Sequence, residues 1–378
     1  MKILVVNWQD RRNPHAGGAE IHLFELFSRL ARRGHDVRLV CSGFAGAPAV
    51  ETVDGIEVHR FGGRHTFALR GWRAIARSAR TFAPDVVVDD INKLPLFTPL
   101  LTRRPVYAIV PHLFGSTAFE EASWPLAATV YLAERAIPRC YRGAWFHAIS
   151  DSTRDDLVAR GIPRDRIAVV YPGVDTRRFT PDPTATRSVP PRFVYIGRLK
   201  RYKGVEFLIQ ALAIARRERP DLSVDIAGTG DDRARLEVVA RSQGVRDAVR
   251  FLGFVDEPTR LKLLRESVAN VFPSPKEGWG ITVMEAAACG TPSLASDSPG
   301  LRDSVRDGQT GILVPHRDAG RLAQEMLRLA SDPALVARLG LAARAWAEQL
   351  TWDGAAGRVE RHLEKLAAGT RSFDSPGD

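Results

Sequence analysis

The sequence predicts an α/β protein built from two doubly wound domains, and three observations carry that prediction. Short apolar runs alternate with amphipathic helical stretches from end to end, the pattern of βαβ units whose parallel strands are covered on both faces. The chain has 378 residues, more than one hydrophobic core ordinarily organises. The alternation is interrupted at Tyr171-Pro172-Gly173-Val174-Asp175 and Thr180-Pro181-Asp182-Pro183, where proline and glycine break the period as a linker does.

Taken in order, the first series of strand-sized runs covers 3–7, 37–41, 57–61, 86–89, 106–110, 145–149 and 167–170. The second covers 193–196, 223–227, 250–254, 269–272, 293–295 and 311–314, with helical stretches between most of them. The spacing therefore predicts domains at 1–171 and 172–351. The amphipathic stretch beginning at Trp352 lies beyond the last strand, so 352–378 is expected to cross back and pack on the first domain, with only its last ten or so residues frayed and polar. Neither a repeat at solenoid spacing nor a low-complexity tract is visible.

Composition narrows the function class. Apolar residues make up 44% and charged residues 26%, which fits an ordinary globular chain and excludes disordered and fibrous classes. Cys41, Cys140 and Cys289 are odd in number and widely spaced, so they form neither a disulfide framework nor a zinc knuckle. The N-terminal apolar run is strand-sized and no cleavage site follows; no apolar window is long enough to span a bilayer. The expectation is a cytoplasmic protein, with peripheral contact to the inner face of the membrane left open. Lys and Arg exceed Asp and Glu by 54 to 44, a net +10, which favours an anionic partner: nucleic acid, a lipid surface or a phosphorylated substrate.

Two loops carry the chemistry. The first is 275–286, PKEGWGITVMEA, where Glu277, Gly278, Trp279, Gly280 and Ile281 lie between a strand and a helix. Its free amides make an anion site at a helix N-terminus, and Glu277 and Glu285, with seven residues between them, bracket it. The second is Gly197-Arg198-Leu199-Lys200-Arg201-Tyr202-Lys203-Gly204, again after a strand and before a helix. Arg198 as a planar fork and Lys203 as a compact charge suit a diphosphate, which would then need no metal. A solvated basic loop is the competing reading. Gly17 and Gly18 join the first strand to the first helix and permit close approach of a phosphate, but the full G-x-G-x-x-G fingerprint is absent. Gly228-Thr229-Gly230 is a partial fingerprint with Arg233 at the place of the third glycine.

In combination these stretches resemble the retaining GT-B glycosyltransferases of family 4. The Glu277 to Glu285 spacing resembles the family's E-x7-E motif. Gly197-Arg198 with Lys203-Gly204, the Gly17-Gly18 turn, Ser150-Asp151-Ser152-Thr153 and Pro172-Gly173-Val174-Asp175 are similar to other family stretches. The resemblance implies two Rossmann-like domains facing across a cleft that holds a nucleotide-diphosphate sugar, with the C-terminal helix crossing back. It implies Arg198 and Lys203 on the diphosphate, Glu277 and the amides of Gly278 to Ile281 on the hexose, and Glu285 on the ribose. It places Gly17 and Gly18 over the phosphates, Gly253, Phe254 and Val255 at the base, and His112 at the sugar near the reacting centre. Front-face attack without a covalent nucleophile is the implied route to retention.

No cofactor and no metal are expected, since no Asp-x-Asp pair exists in the chain. Asp90, Asn92 and Lys93, at the end of a first-domain strand, are candidates for the acceptor hydroxyl site, with a plain strand-end loop as the alternative. Arg70, Arg73, Arg77 and Arg80 recur at helical spacing opposite Leu69, Trp72, Ile75, Ala76 and Ala79, a pattern that suits either a solvated helix or contact with anionic lipid. The alternatives are a sugar-nucleotide epimerase on the same fold, which needs no large acceptor pocket, and a nucleic-acid-binding protein. Against the latter, the arginines are dispersed and no aromatic-rich RNA motif is present.

Overall fold

The computed structural model describes residues 1–63, 66–121, 123–370 and 372–373. The chain divides into two units, Met1–Pro172 with Trp352–Asp378, and Gly173–Thr351.

In the first unit, strands β1 (Lys2–Val6), β2 (Asp36–Cys41), β3 (Val50–Val53), β4 (Ile56–Arg60), β5 (Val86–Asp90), β6 (Val106–Val110), β7 (Trp145–Ala148) and β8 (Ile167–Val169) form one sheet in the order β3-β4-β2-β1-β5-β6-β7-β8. The pairings are parallel except β3 with β4. Every residue of β5, β6 and β7 is buried, because helices cover both faces of a parallel sheet. Helices α1 (Gly18–Arg32), α2 (Phe67–Thr81), α3 (Ala118–Glu121), α4 (Trp124–Cys140) and α5 (Asp151–Ala159) supply the crossovers. Ser150 caps α5 by accepting from the Thr153 amide at 3.2 Å.

The second unit has β9 (Arg192–Ile196), β10 (Ser223–Ala227), β11 (Val249–Gly253), β12 (Asn270–Phe272), β13 (Ser293–Ser296) and β14 (Gly311–Val314) in the order β11-β10-β9-β12-β13-β14, all parallel. Its helices are α6 (Val205–Ala215), α7 (Arg233–Ser242), α8 (Glu257–Glu266), α9 (Ile281–Ala288), α10 (Leu301–Ser304), α11 (Ala319–Ser331) and α12 (Pro333–Glu348). Asp225 is fully buried in β10, and Arg250 neutralises it through two hydrogen bonds of 2.6 and 2.5 Å. The last helix, α13 (Trp352–Ala367), belongs to the first unit, where it packs on α1 and Asp353 accepts from Arg29 at 2.9 Å.

The thirteen expected strands form within one residue at either end. One further strand, β3, was not expected. It pairs antiparallel with β4 across Asp54-Gly55, both at positive φ (51° and 84°), a two-residue turn that matches strand twist. The outward side of α2 also differs from expectation. Trp72 is 44% exposed instead of facing the core, because Phe67, Ala74, Ile75 and Ala79 already fill the inner stripe. The Leu69 side chain lies outside the described residues.

Candidate active site

The strand order fixes where a ligand can meet the second unit. β9 is flanked by β10 on one side and β12 on the other, so crossovers leave in opposite directions and a crevice opens at the carboxyl ends of β9 and β12. The two basic and acidic loops follow these two strands. From β9 the chain runs through Arg198 and a short turn at Arg201–Lys203 into α6; from β12 it runs through Glu277 to α9.

Lys203 and Glu277, 74 residues apart, meet at this crevice: the Lys203 ammonium donates to Glu277 Oε1 at 2.5 Å. Both side chains are largely shielded, at 10% and 14% exposure. Burial alone would lower the Lys203 ammonium, but the Glu277 carboxylate outweighs it and the net direction is upward. The ammonium also lies 4.9 Å from the Tyr202 ring centre and 5.6 Å from that of Phe272. Arg198 is exposed, and its carbonyl accepts from the Tyr195 hydroxyl at 3.0 Å, which holds the loop while the guanidinium stays available.

The Glu277 loop is braced from β13. The Glu277 amide donates to Pro299 O at 3.1 Å and the Ser298 hydroxyl to Ser274 O at 2.9 Å. Gly300, at φ +79°, closes this contact: a Cβ there would stand 2.1 Å from the Glu277 carbonyl oxygen. Gly280 (φ +92°) turns the chain into α9, so the amides of Ile281 and Thr282 enter the first turn, where no preceding helical carbonyl exists to receive them. Gly278 is buried and Trp279 is only 2% exposed, so what Trp279 can present to a ligand is backbone.

Glu285, one turn into α9, is 7% exposed and accepts from Arg260 of α8. Burial pushes its carboxyl up to about 7, against the pull of Arg260 and Arg178. Sequence reasoning missed Arg260; no motif surrounds it, and only its place on α8 reveals the contact with Glu285. Gly253 ends β11 at φ +71° and its carbonyl accepts from the Gly228 amide at 2.7 Å. Phe254 beyond it is 85% exposed, and Val255 is half-buried. Gly228 and Gly230 have a packing reason of their own: a Cβ would stand 1.9 Å from Gly197 O and 2.0 Å from Leu199 O respectively. They let β10's exit loop press against the Arg198 loop.

In the first unit the sheet order changes direction at β1, between β2 and β5. The Gly17 amide donates to Glu20 Oε2 at 2.7 Å, a helix-start contact. Gly18 is exposed at the first position of α1. Asp90 ends β5 at 1% exposure, and neither carboxylate oxygen has a hydrogen-bond partner among the described residues. Burial, then the charges of Glu20 and Asp89, hold its carboxyl well above the ordinary range, with Lys93 opposing. Asn92 donates to Asn7 Oδ1 at 2.8 Å, and Lys93 lies 3.8 Å from Glu20. Asp89 accepts from Tyr141 at 2.6 Å and Thr98 at 2.8 Å and is structural. His112 follows β6, half-buried, edge-to-face with Phe114 at 5.0 Å.

Among the described residues the one group with ligand atoms close enough for a metal is His35, Glu360 and Glu364. His35 precedes β2, at the opposite strand ends from these loops, and Glu360 is already paired with His35 at 2.7 Å and with Arg33 at 2.5 Å.

Comparison with known proteins shows the family and the fold. Residues 177–346 match the model described as glycosyl transferases group 1, and residues 16–178 match glycosyltransferase family 4. The chain is 30% identical to glycogen synthase of Mycobacterium tuberculosis over 93% of its own length and 91% of the relative. It is 33% identical to D-inositol 3-phosphate glycosyltransferase of Thermomonospora curvata over 92% and 90%. In fold it resembles sucrose-phosphate synthase from Thermosynechococcus elongatus (TM-score 0.83, 22% identity, covering 97% and 99%). It also resembles Anabaena HepE in complex with UDP-glucose (TM-score 0.78, 18% identity, covering 97% and 100%). The chain belongs to the group 1 and family 4 glycosyltransferases, and its fold is of the GT-B type.

Proposed function

We propose that this enzyme is a retaining hexosyltransferase that moves a hexose from a nucleotide-diphosphate sugar to a hydroxyl acceptor. The observation that carries the reading is the meeting of Lys203 and Glu277 where the second sheet reverses its strand order, beside the exposed fork of Arg198 and the amides opening α9. A diphosphate arriving there competes with Glu277 for the Lys203 ammonium, and its binding frees the Glu277 carboxylate for sugar hydroxyls. HepE, a neighbour in fold, holds UDP-glucose, which supports this donor class.

The chemistry then needs charge placed where it develops. As the bond from the anomeric carbon to phosphate oxygen breaks, negative charge builds on the departing diphosphate, where Arg198 and Lys203 stabilise it, while Glu277 and the amides of Gly278 to Ile281 hold the hexose. The acceptor oxygen bonds to the anomeric carbon from the same side, and its proton passes to the departing phosphate oxygen. Glu285 with Arg260 takes the ribose, Gly253 to Val255 the base, and Gly18 with Gly17 the phosphates. His112 touches the sugar, and Asp90, Asn92 and Lys93 receive the acceptor. No metal is required, because fixed cations already oppose the leaving charge.

The test is a nucleotide-sugar series. One of UDP-, GDP- or ADP-hexose should raise the unfolding temperature, and the product anomer read by NMR should keep the donor's configuration. Glu277→Gln and Glu285→Ala should each cut transfer on the order of 100-fold with the fold intact. Near wild-type turnover in either variant would remove that residue's role; an inverted anomer would refute retention, and no response to any nucleotide sugar would refute the donor class.

A further inference from the structure

One side of the N-terminal unit carries cations that donor chemistry does not use. Phe67, Ala74, Ile75 and Ala79 of α2, Ile137 and Tyr141 at the end of α4, and Leu157 of α5 share one buried cluster with Leu4, Val6 and Val87 of the sheet. These helices therefore cover the same sheet face, and their opposite sides look out from it together. On α2 that outer side presents Arg70, Arg73, Arg77 and Arg80, all exposed, with no acidic residue on the helix. On α4 it presents Trp124 at 74% exposure and Leu132 at 65%, followed by Arg135 and Arg139. The sole carboxylate of α4, Glu134, is fully buried and accepts from the amides of Phe114 and Gly115.

Between α4 and α5 lies a cavity of about 880 Å³ lined by Arg135, Arg139, Arg142, Arg160 and Arg166. Arg160 is neutralised by Asp156 at 2.9 Å and Glu134 at 3.3 Å. Arg139, Arg142 and Arg166 have no carboxylate partner among the described residues. A surface exposing Trp and Leu beside unpaired arginines is costly in water and suits a boundary that is apolar inside and anionic at its rim. Neither α2 nor the outer side of α4 carries acids among its arginines, and the acids of α5, Asp151, Asp155 and Asp156, are paired with Arg154 and Arg160.

We propose that this face docks on an anionic lipid bilayer, with Trp124 and Leu132 entering the headgroup boundary, the α4–α5 groove holding lipid phosphate and the α2 arginines adding long-range attraction. The proposal stands apart from the donor reading, since none of these residues belongs to the donor or acceptor sets.

The experiment is vesicle cosedimentation of the full chain with phosphatidylglycerol or phosphatidylcholine vesicles. Binding should be confined to the anionic vesicles and fall as salt rises, because exposed charges are screened over about 8 Å at physiological ionic strength. Arg135→Gln with Arg139→Gln should weaken it about 30-fold, at roughly fivefold per arginine near an anionic surface. Trp124→Ser with Leu132→Ser should weaken it at low and high salt alike, which separates insertion from charge attraction. Both double variants replace exposed side chains, so unchanged unfolding temperature and unchanged donor affinity are expected. Equal binding to neutral vesicles, no binding to either, or α4 variants that bind as wild type would overturn the proposal. So would duplex DNA competing vesicles off at equal phosphate concentration. Protection by glycerol phosphate without vesicle binding would make the groove a small-anion site and refute the bilayer.

Discussion

Replacing Gly300 by alanine tests whether the contact between the β13 exit loop and the Glu277 loop positions the donor carboxylate. The new Cβ would stand 2.1 Å from the Glu277 carbonyl oxygen and 2.7 Å from its carbon, both backbone atoms that no rotamer change can move aside. Relief needs a shift of about 1 Å in one loop to restore ordinary van der Waals separation. Alanine at φ +79° adds about 1–2 kcal/mol of backbone strain. Forcing a methyl into a packed site adds about 1–3 kcal/mol. Gly308 supplies the control, because it sits at φ +67° with nothing within 4 Å of its would-be Cβ. Gly308→Ala should therefore show the strain alone. In urea unfolding, Gly300→Ala should lose about 1–3 kcal/mol more than Gly308→Ala. Transfer should fall on the order of 100-fold in kcat/KM, the usual consequence of displacing a positioning group by about 1 Å. If Gly300→Ala matched Gly308→Ala in both stability and kcat/KM, the bracing of Glu277 by Pro299 and Gly300 would be refuted.

Arg198→Ala and Lys203→Ala should be non-additive in kcat/KM, since both act on one diphosphate; a double variant whose loss equals the product of the single losses would assign them to separate sites. Transfer should be unaffected by EDTA, and activity abolished by chelation and restored by magnesium or manganese would overturn the metal-free reading. His22 is buried, neither ring nitrogen has a hydrogen-bond partner among the described residues, and burial lowers its pKa to about 4. Its unfolded form takes up a proton near 6.5 while the folded form does not, so stability falls as pH drops from about 6.5 toward 4. His22→Phe should flatten the pH dependence of urea unfolding in that window, and an unchanged slope would sink the assignment. Arg260→Gln removes the cation that opposes burial at Glu285, so the carboxyl should titrate further above about 7 and donor KM should rise at neutral pH; an unshifted KM profile would separate Arg260 from the donor.

The amino-acid sequence by itself determined the strands, the two-domain division and the loops that end β9 and β12, because apolar period and Gly/Pro punctuation act within a few residues. It also separated Glu277 from Glu285, placing one in a loop and the other in a helix, since Gly280 marks the helix start. It contained the Asp54-Gly55 turn that makes β3, a local signal that went unread. What it could not determine are pairings across long stretches of chain. Lys203 meets Glu277 across 74 residues and Arg260 meets Glu285 across 25, and each meeting exists only once the strand order brings the two elements side by side. Gly228 and Gly230 read as half of a phosphate fingerprint, yet tertiary packing shows that the backbone of 197–199 leaves no room for a side chain at either position. Trp72 likewise fits an apolar stripe by period, and only the filled space under α2 decides that it faces out. Local conformation is written in neighbouring residues, whereas which charges neutralise one another and which glycines are sterically required depend on distances set by closing the sheets.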